Sequence, residues 1–461
     1  MVDDHKIRWF LKIGAPFLAQ TLSDVFNLSL SSSIVPRQWK AAKILPIPKT
    51  NLPLQPADYR PISITPVMSR ILERLVVKDF IYPALRGPTV GISFKDQFAF
   101  QPSGSTTAAL IQLLYTITTL LATHPFVIVY ALDFSKAFDS VRHNTVMEKY
   151  SRIDIPDNIY NWILNFLKDH SHCTNFDDVI SKFRTISASI IQGSGIGPAS
   201  YVVTASDLHP VTQGNTMIKY ADDTYLVVPA VNAHTCADEI EHVEKWSNDN
   251  NLSLNRKKSV EIVFVSPWSK RAVRIPEAAL EGIERVDSFK ALGVTISRRL
   301  SIAEHVDNLL VACSQTLFAM RTLKQHGLPT KALHAVYQAT VVAKMTYASP
   351  AWWGFASQAD KARLEAFLRR SNLLGFREQT APTLACICDE AEERLFKKIS
   401  SNPNHLLFHL LPPQRDTHYN LRTRSRHNMQ LPPRSTALSD RNFISRMLYK
   451  NLNYSSASAN I

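Results

Sequence analysis

The chain has 461 residues, 45% of them hydrophobic and 20% charged, a composition that excludes a disordered polymer and suffices for two or three domains. Fifty-two Lys and Arg against 39 Asp and Glu leave a net charge of +13, which favours a polyanionic partner, nucleic acid above all. Five cysteines without framework spacing exclude a disulfide scaffold and indicate a reducing compartment, so an intracellular protein of nucleus or cytoplasm is expected.

Residues 7–30 carry helical apolar spacing through Phe10, Leu11, Phe17, Leu18, Leu22 and Phe26, and the first residues show no signal-peptide pattern. Residues 36–58 are rich in proline and basic side chains, among them Lys40, Lys43 and Lys49. The stretch 62–85 predicts an amphipathic helix, with Arg70, Arg74 and Lys78 set among Ile71, Leu72, Leu75 and Val76. From Ala108 to Leu132 the longest apolar stretch is broken by Gln112, several threonines and His124-Pro125, so it reads as helix then strand and not as a membrane span.

That strand, Phe126 to Leu132, is a continuous β-branched and aromatic run that ends on Asp133. A carboxylate at the end of a buried strand is costly unless paired or metal-bound; a helix N-cap is the plainer alternative. Further on, Gln192-Gly193-Ser194-Gly195-Ile196-Gly197-Pro198 places three glycines within five residues, which lets backbone approach a phosphate or simply makes a turn.

Tyr220-Ala221-Asp222-Asp223 lies between two short β-prone runs, so its carboxylates sit at the tip of a hairpin. Turn chemistry alone explains an Asp-Asp pair. Joined by Asp133, it suggests a two-metal site for phosphoryl transfer, with ions roughly 3.5 to 4 Å apart. Lys257-Lys258 precede another strand, 260–265, and residues 306–376 have helical patterning in which Trp352-Trp353 read as core.

Cys386 and Cys388 form a C-x-C pair and His405 and His409 an H-x3-H pair that vaguely resemble a zinc finger, but the cysteine spacing is narrower than usual and a helix lies between the pairs, so they read as structural. The last fifty residues hold Arg415, Arg422, Arg424, Arg426, Arg434, Arg441, Arg446 and Lys450 against Asp416 and Asp440, and read as a basic tail.

In order along the chain stand Tyr59-Arg60-Pro61-Ile62-Ser63, Phe98-Ala99-Phe100 with Gly104-Ser105-Thr106, Leu132-Asp133-Phe134-Ser135-Lys136-Ala137-Phe138-Asp139, and the Gln192–Pro198 loop. Next come Tyr220-Ala221-Asp222-Asp223, Leu254-Asn255 with Lys258-Ser259, and Leu292-Gly293-Val294. This series resembles the palm motifs of reverse transcriptases, specifically those of LINE-like, non-LTR retrotransposons of the jockey-like kind. It spans residues 40 to 300.

The resemblance implies an α+β right-hand polymerase, with fingers, a palm of antiparallel sheet and packed helices, and an α-helical thumb. The corresponding divisions are 1–40, a helical extension; 41–300, fingers and palm; 301–411, helical thumb and C-terminal domain; and 412–461, a basic, partly extended tail. It also implies an RNA-directed DNA polymerase using two Mg²⁺ or Mn²⁺ ions, an RNA template, a DNA primer or target and dNTPs, with no membrane partner.

By motif, Asp133 and Asp222 resemble the metal-binding carboxylates, Asp223 the third acid, and the Phe134 carbonyl a further ligand. Phe138 is similar to the gate against a ribose 2′-OH, Arg60 to the triphosphate contact, and Gln192 to the residue packing on nucleotide and template. Lys258 is similar to the basic residue near pyrophosphate, and Leu292-Gly293 to the primer grip.

Gln101 stands where relatives usually carry Arg. An endonuclease, which such elements encode ahead of the polymerase, has no room before residue 40, so this chain alone is expected not to nick its target. Two rival expectations are a weak or inactive relic that only binds nucleic acid and an RNA-dependent RNA polymerase on the same palm.

Overall fold

A computed structural model describes residues 4–87, 91–135, 137–267, 274–276, 278–415, 428–433 and 436–450. Its strands are β1 (Ala41–Pro48), β2 (Tyr59–Ile64), β3 (Phe126–Leu132), β4 (Phe134–Ser135), β5 (Ser171–Phe176), β6 (Val179–Ile180) and β7 (Arg184–Thr185). Then come β8 (Thr216–Tyr220), β9 (Asp223–Pro229), β10 (Ser253–Leu254), β11 (Val260–Val265), β12 (Glu284–Arg285), β13 (Ser288–Ala291) and β14 (Val294–Ser297). Helices separate and succeed them, so the class is α+β as expected.

Two compact units form. One comprises Met1–Pro102, Asp133–His209 and Asp238–Asn255, the other Ser103–Leu132, Pro210–Ala237 and Arg256–Ile461. In the first, a sheet has the order β2-β1-β5-β6, with β7 also on β5. Strand β1 falls in the stretch read only as proline-rich and basic. It runs antiparallel to β2 from Lys43↔Ile64 to Pro48↔Tyr59, but pairs with β5 only through Ile44. Pro46 and Pro48, which lack an N–H, therefore lie beyond the last residue that β5 engages.

The helix expected from residue 62 begins at Val67, because β2 continues to Ile64 and Pro66 pushes the residue before it away from helical backbone. It buries Leu72 and Val76. Helix Asp157–Leu167 buries Ile159, Trp162, Ile163 and Phe166 on one face.

The second unit is built on a sheet of order β12-β11-β3-β9-β8. Strand β3 is central, antiparallel to both β11 and β9, and six of its seven successive residues are buried, so both of its faces are covered, which accounts for its unbroken apolar run. Inside this sheet Tyr130 donates its hydroxyl to Glu261 Oε2 at 2.8 Å, and Arg285 pairs with the same carboxylate. Helix Thr106–Leu120, N-capped by Ser105 Oγ accepting from Ala108 N at 3.1 Å, packs on the sheet through buried Leu110, Leu113, Leu114 and Ile117.

Helices Ala303–Gln325, Thr330–Tyr337, Gln358–Leu373 and Leu384–Ser400 complete this unit. Trp352 and Trp353 are buried within it, and Trp352 donates to the Tyr347 carbonyl at 2.8 Å, so they serve packing and not base stacking. Part of the basic tail is also folded. Helix Phe443–Tyr449 buries Phe443, Ile444, Met447 and Leu448, while Arg446 pairs with Glu392 and Lys450 lies 3.3 Å from Glu393. Arg422, Arg424, Arg426 and Arg434 lie outside the described residues.

One buried histidine in each unit makes stability depend on pH. Burial lowers His170 from 6.5 to about 4 and lowers His305 likewise to about 4. Between these values the unfolded chain binds more protons than the folded one. The stabilisation is complete above pH 6.5 and is lost as pH falls toward 4, by about 3 kcal/mol for each histidine. Thermal melts should therefore drop from neutral pH to pH about 5, and the slope should be shallower in His170→Phe. An equal slope in the variant would contradict this.

Candidate active site

The β8–β9 hairpin closes at Tyr220↔Asp223, leaving Ala221-Asp222 as a two-residue turn in which Ala221 has φ +56°. Asp222 is thus in the turn and half-buried, whereas Asp223 is the exposed first residue of β9. In the β3–β9 pair Leu132 stands opposite Thr224, so the chain leaves β3 at the end where it enters β9. Asp133 is the next residue after Leu132, and Asp222 is two before Thr224. Strand β4 starts directly after Asp133, and the next helix starts only at Ala137, so the helix N-cap alternative does not hold.

Asp223 and Tyr225 alternate onto one face of β9. Burial first, and then the Asp223 charge, raise the Tyr225 hydroxyl above its ordinary pKa. That hydroxyl accepts from Leu292 N at 3.2 Å, and Tyr347 donates its own to the Leu292 carbonyl at 3.0 Å. The turn joining β13 to β14 is Leu292-Gly293, with φ +43° and +91° as a tight hairpin of this kind requires. A Cβ on Gly293 would stand 3.1 Å from the Tyr347 ring. Two tyrosines therefore clasp the turn, and neither carried a signal in the sequence beyond Tyr225's place beside the aspartates.

In the first unit, the Asp133 carbonyl accepts from Asn255 N at 2.8 Å, and Phe134 pairs with Leu254 across β4–β10. Phe134 is buried against Trp246, with ring centroids 5.9 Å apart. Phe138 lies on the short helix Ala137–Ser140, half-buried, and stacks on Tyr201 at 4.5 Å. Gln192 donates through Nε2 to Asp139 Oδ1 at 3.3 Å, and both border a cavity of about 340 Å³ together with Ser63, His170 and His172.

The glycine loop departs from the phosphate-cradle reading. The N–H groups of Gly195 and Ile196 donate to Glu73 Oε2 at 2.6 and 3.2 Å, so a carboxylate of the chain itself occupies the place an anion would take. Gly193, at φ +113°, packs so close to β2 that a Cβ would come within 2.1 Å of the Ser63 carbonyl oxygen. Sequence reading missed Glu73, which carries no motif and lies 122 residues before Gly195.

Among the described residues no three His, Cys, Asp or Glu side chains converge to hold a metal ion. Cys386 and Cys388 stand two apart on helix Leu384–Ser400, the first exposed and the second buried, so they diverge.

The family model described as "Reverse transcriptase (RNA-dependent DNA polymerase)" matches residues 47–296. The chain belongs to this reverse transcriptase family. It is 27% identical over 323 residues to the RNA-directed DNA polymerase from mobile element jockey of Drosophila melanogaster, covering 67% of this chain and 34% of that one. It is 26% identical over 358 residues to the probable RNA-directed DNA polymerase from transposon X-element of the same species, covering 74% and 38%.

The chain thus spans little more than a third of the length of these relatives. Among solved structures, telomerase from Candida tropicalis with a TWJ fragment of telomeric RNA aligns at a TM-score of 0.44 and 12% identity, covering 84% of this chain and 62% of that chain.

Two of the chain's basic candidate residues are plain surface groups: Arg60, on β2 opposite Ile47, and Lys258, before β11, are both exposed. Gln101 turns inward instead, donating through Nε2 to the carbonyls of Phe94 and Gln97, each at 3.1 Å. Its amide is used to close its own loop.

Proposed function

We propose that this chain is an RNA-directed DNA polymerase that joins deoxynucleotides to a primer 3′-OH on an RNA template. The observation that carries this is the β3–β9 register, with Leu132 opposite Thr224, together with the family match. In this reading Asp133, Asp222 and the Phe134 carbonyl hold Mg²⁺ or Mn²⁺. These are hard oxygen donors, and Mg²⁺ keeps few protein ligands where substrate phosphates supply the rest. Two such ions, when bound, activate the attacking hydroxyl and neutralise the leaving pyrophosphate.

The chain's own groups position the reactants. Arg60 and Lys258, exposed cations, meet the triphosphate and the departing pyrophosphate. Leu292-Gly293 presents its turn to the primer terminus. Asp223 serves as the third acid of the site, from the face of β9 that it shares with Tyr225. Residues 41–300 then form fingers and palm and 301–411 the thumb.

Among the described residues no helix is long and apolar enough to cross a membrane. None of the five cysteines, all among the described residues, is in a disulfide.

Extension of a primed RNA with dNTPs by the purified chain tests the reading, and an intact chain that binds the template without extending it would overturn it. Sugar choice is a second outcome. Phe138→Ala should raise ribonucleotide use relative to deoxynucleotide use about tenfold or more, because an aromatic wall against the 2′-OH is removed. An unchanged ratio would leave Phe138 only its stacking on Tyr201.

A further inference from the structure

Glu73 has 0% of its surface exposed, on helix Val67–Val76. A carboxylate so placed is costly unless its oxygens are hydrogen-bonded. Oε2 takes the N–H groups of Gly195 and Ile196, and Oε1 takes the Ser69 hydroxyl at 2.6 Å. On the other shoulder of the loop, Ser63 N donates to the Gln192 carbonyl at 2.7 Å. Gln192 is therefore held between two anchors. Contact at the Glu73 anchor is tight: a Cβ on Gly195 would lie 2.9 Å from Glu73 Cβ and 3.1 Å from the Arg70 carbonyl oxygen.

We propose that Glu73 is a positioning residue for nucleotide binding, which fixes the Gln192 side chain against the incoming deoxynucleotide by gripping the Gly195 and Ile196 amides. The inference rests on the polymerase reading above, in which Gln192 packs on that nucleotide. Asp139 sets the direction of the carboxamide through the 3.3 Å bond from Nε2, and Glu73 sets the height of the backbone that bears it. Asp133 and Asp222, which bear on the chemistry, lie on other segments. Losing the grip should thus weaken nucleotide binding far more than turnover.

The test is steady-state dNTP incorporation by wild type, Glu73→Ala, Glu73→Gln, Gln192→Ala and the Glu73→Ala/Gln192→Ala double variant, with hydrogen exchange over residues 193–197. Glu73→Ala should raise KM for the dNTP about tenfold and keep kcat within about threefold. Glu73→Gln should stay within about threefold of wild type, since its carbonyl oxygen still accepts from both amides and its NH₂ donates to Ser69. The double variant should be no worse than Gln192→Ala alone, because the effect passes through that residue. Loop amides should exchange faster in Glu73→Ala and at the wild-type rate in Glu73→Gln.

A folded Glu73→Ala with wild-type KM, or effects that multiply in the double variant, would overturn the proposal. If Glu73→Ala does not fold, Ser69→Ala decides. Freeing Oε1 should raise KM about threefold, and a wild-type KM would overturn the proposal. Failure of the wild-type chain to extend any primed RNA would overturn the polymerase reading instead, while the exchange comparison would still report the grip.

Discussion

Asp222→Asn should reduce primer extension by about 10²-fold to 10³-fold or more, with folding and RNA binding close to wild type. Asn matches Asp in size and suits the same two-residue turn, since both tolerate tight-turn backbone and hydrogen-bond locally. Asp222 is half-buried in that turn, so little packing changes. What is lost is the negative charge that a hard divalent cation needs. RNA affinity depends on the +13 net charge and is not weakened by removing an acid.

Asp223→Asn should cost much less, because Asp223 is exposed and shares its face of β9 with Tyr225 and not the turn with Asp222. Melting curves, filter binding of labelled RNA and extension assays on both variants check this. Equal losses for the two would mean that both aspartates ligate.

Gly193→Ala should destabilise the first unit by about 3 kcal/mol or more, a large effect traced to one β-carbon. At φ +113° a side chain is already strained, and the added Cβ would sit 2.1 Å from the Ser63 carbonyl oxygen. Ser63 cannot easily retreat, because β2 pairs it with Ile44 of β1, and its N–H holds the Gln192 carbonyl at 2.7 Å. Either the loop leaves β2, taking Gln192 with it, or the sheet is distorted. Denaturant titration monitored by circular dichroism measures the loss. Wild-type stability in Gly193→Ala would show that the loop is not held as described.

The elements that were legible in the sequence are those whose local pattern agrees with their surroundings. Phe126–Leu132 is apolar without a break because both of its faces are buried, and the Asp222-Asp223 hairpin arises from two β-prone runs closing on a two-residue turn. Strand β1 was hidden because Pro46 and Pro48 look like loop punctuation, and only the short register of β5 shows why they are tolerated. Glu73 was hidden for a different reason. On a helix pattern it reads as one more charged residue, and its partners, Gly195 and Ile196, are brought to it only by the fold.

Tyr347 is likewise 55 residues from the Leu292 carbonyl it binds. The tail misled in part because composition cannot distinguish a solvated arginine from Arg446, whose charge is met by buried Glu392.

The most direct test is single-nucleotide incorporation on a primed RNA template by the purified chain while Mg²⁺ is titrated from zero, with Asp133→Asn as the matched control. Wild type should give no product without a divalent ion, product that rises with Mg²⁺ concentration, and near-complete loss in Asp133→Asn. Incorporation without a divalent ion, or an Asp133→Asn variant as active as wild type, would contradict metal-dependent nucleotidyl transfer at Asp133 and Asp222.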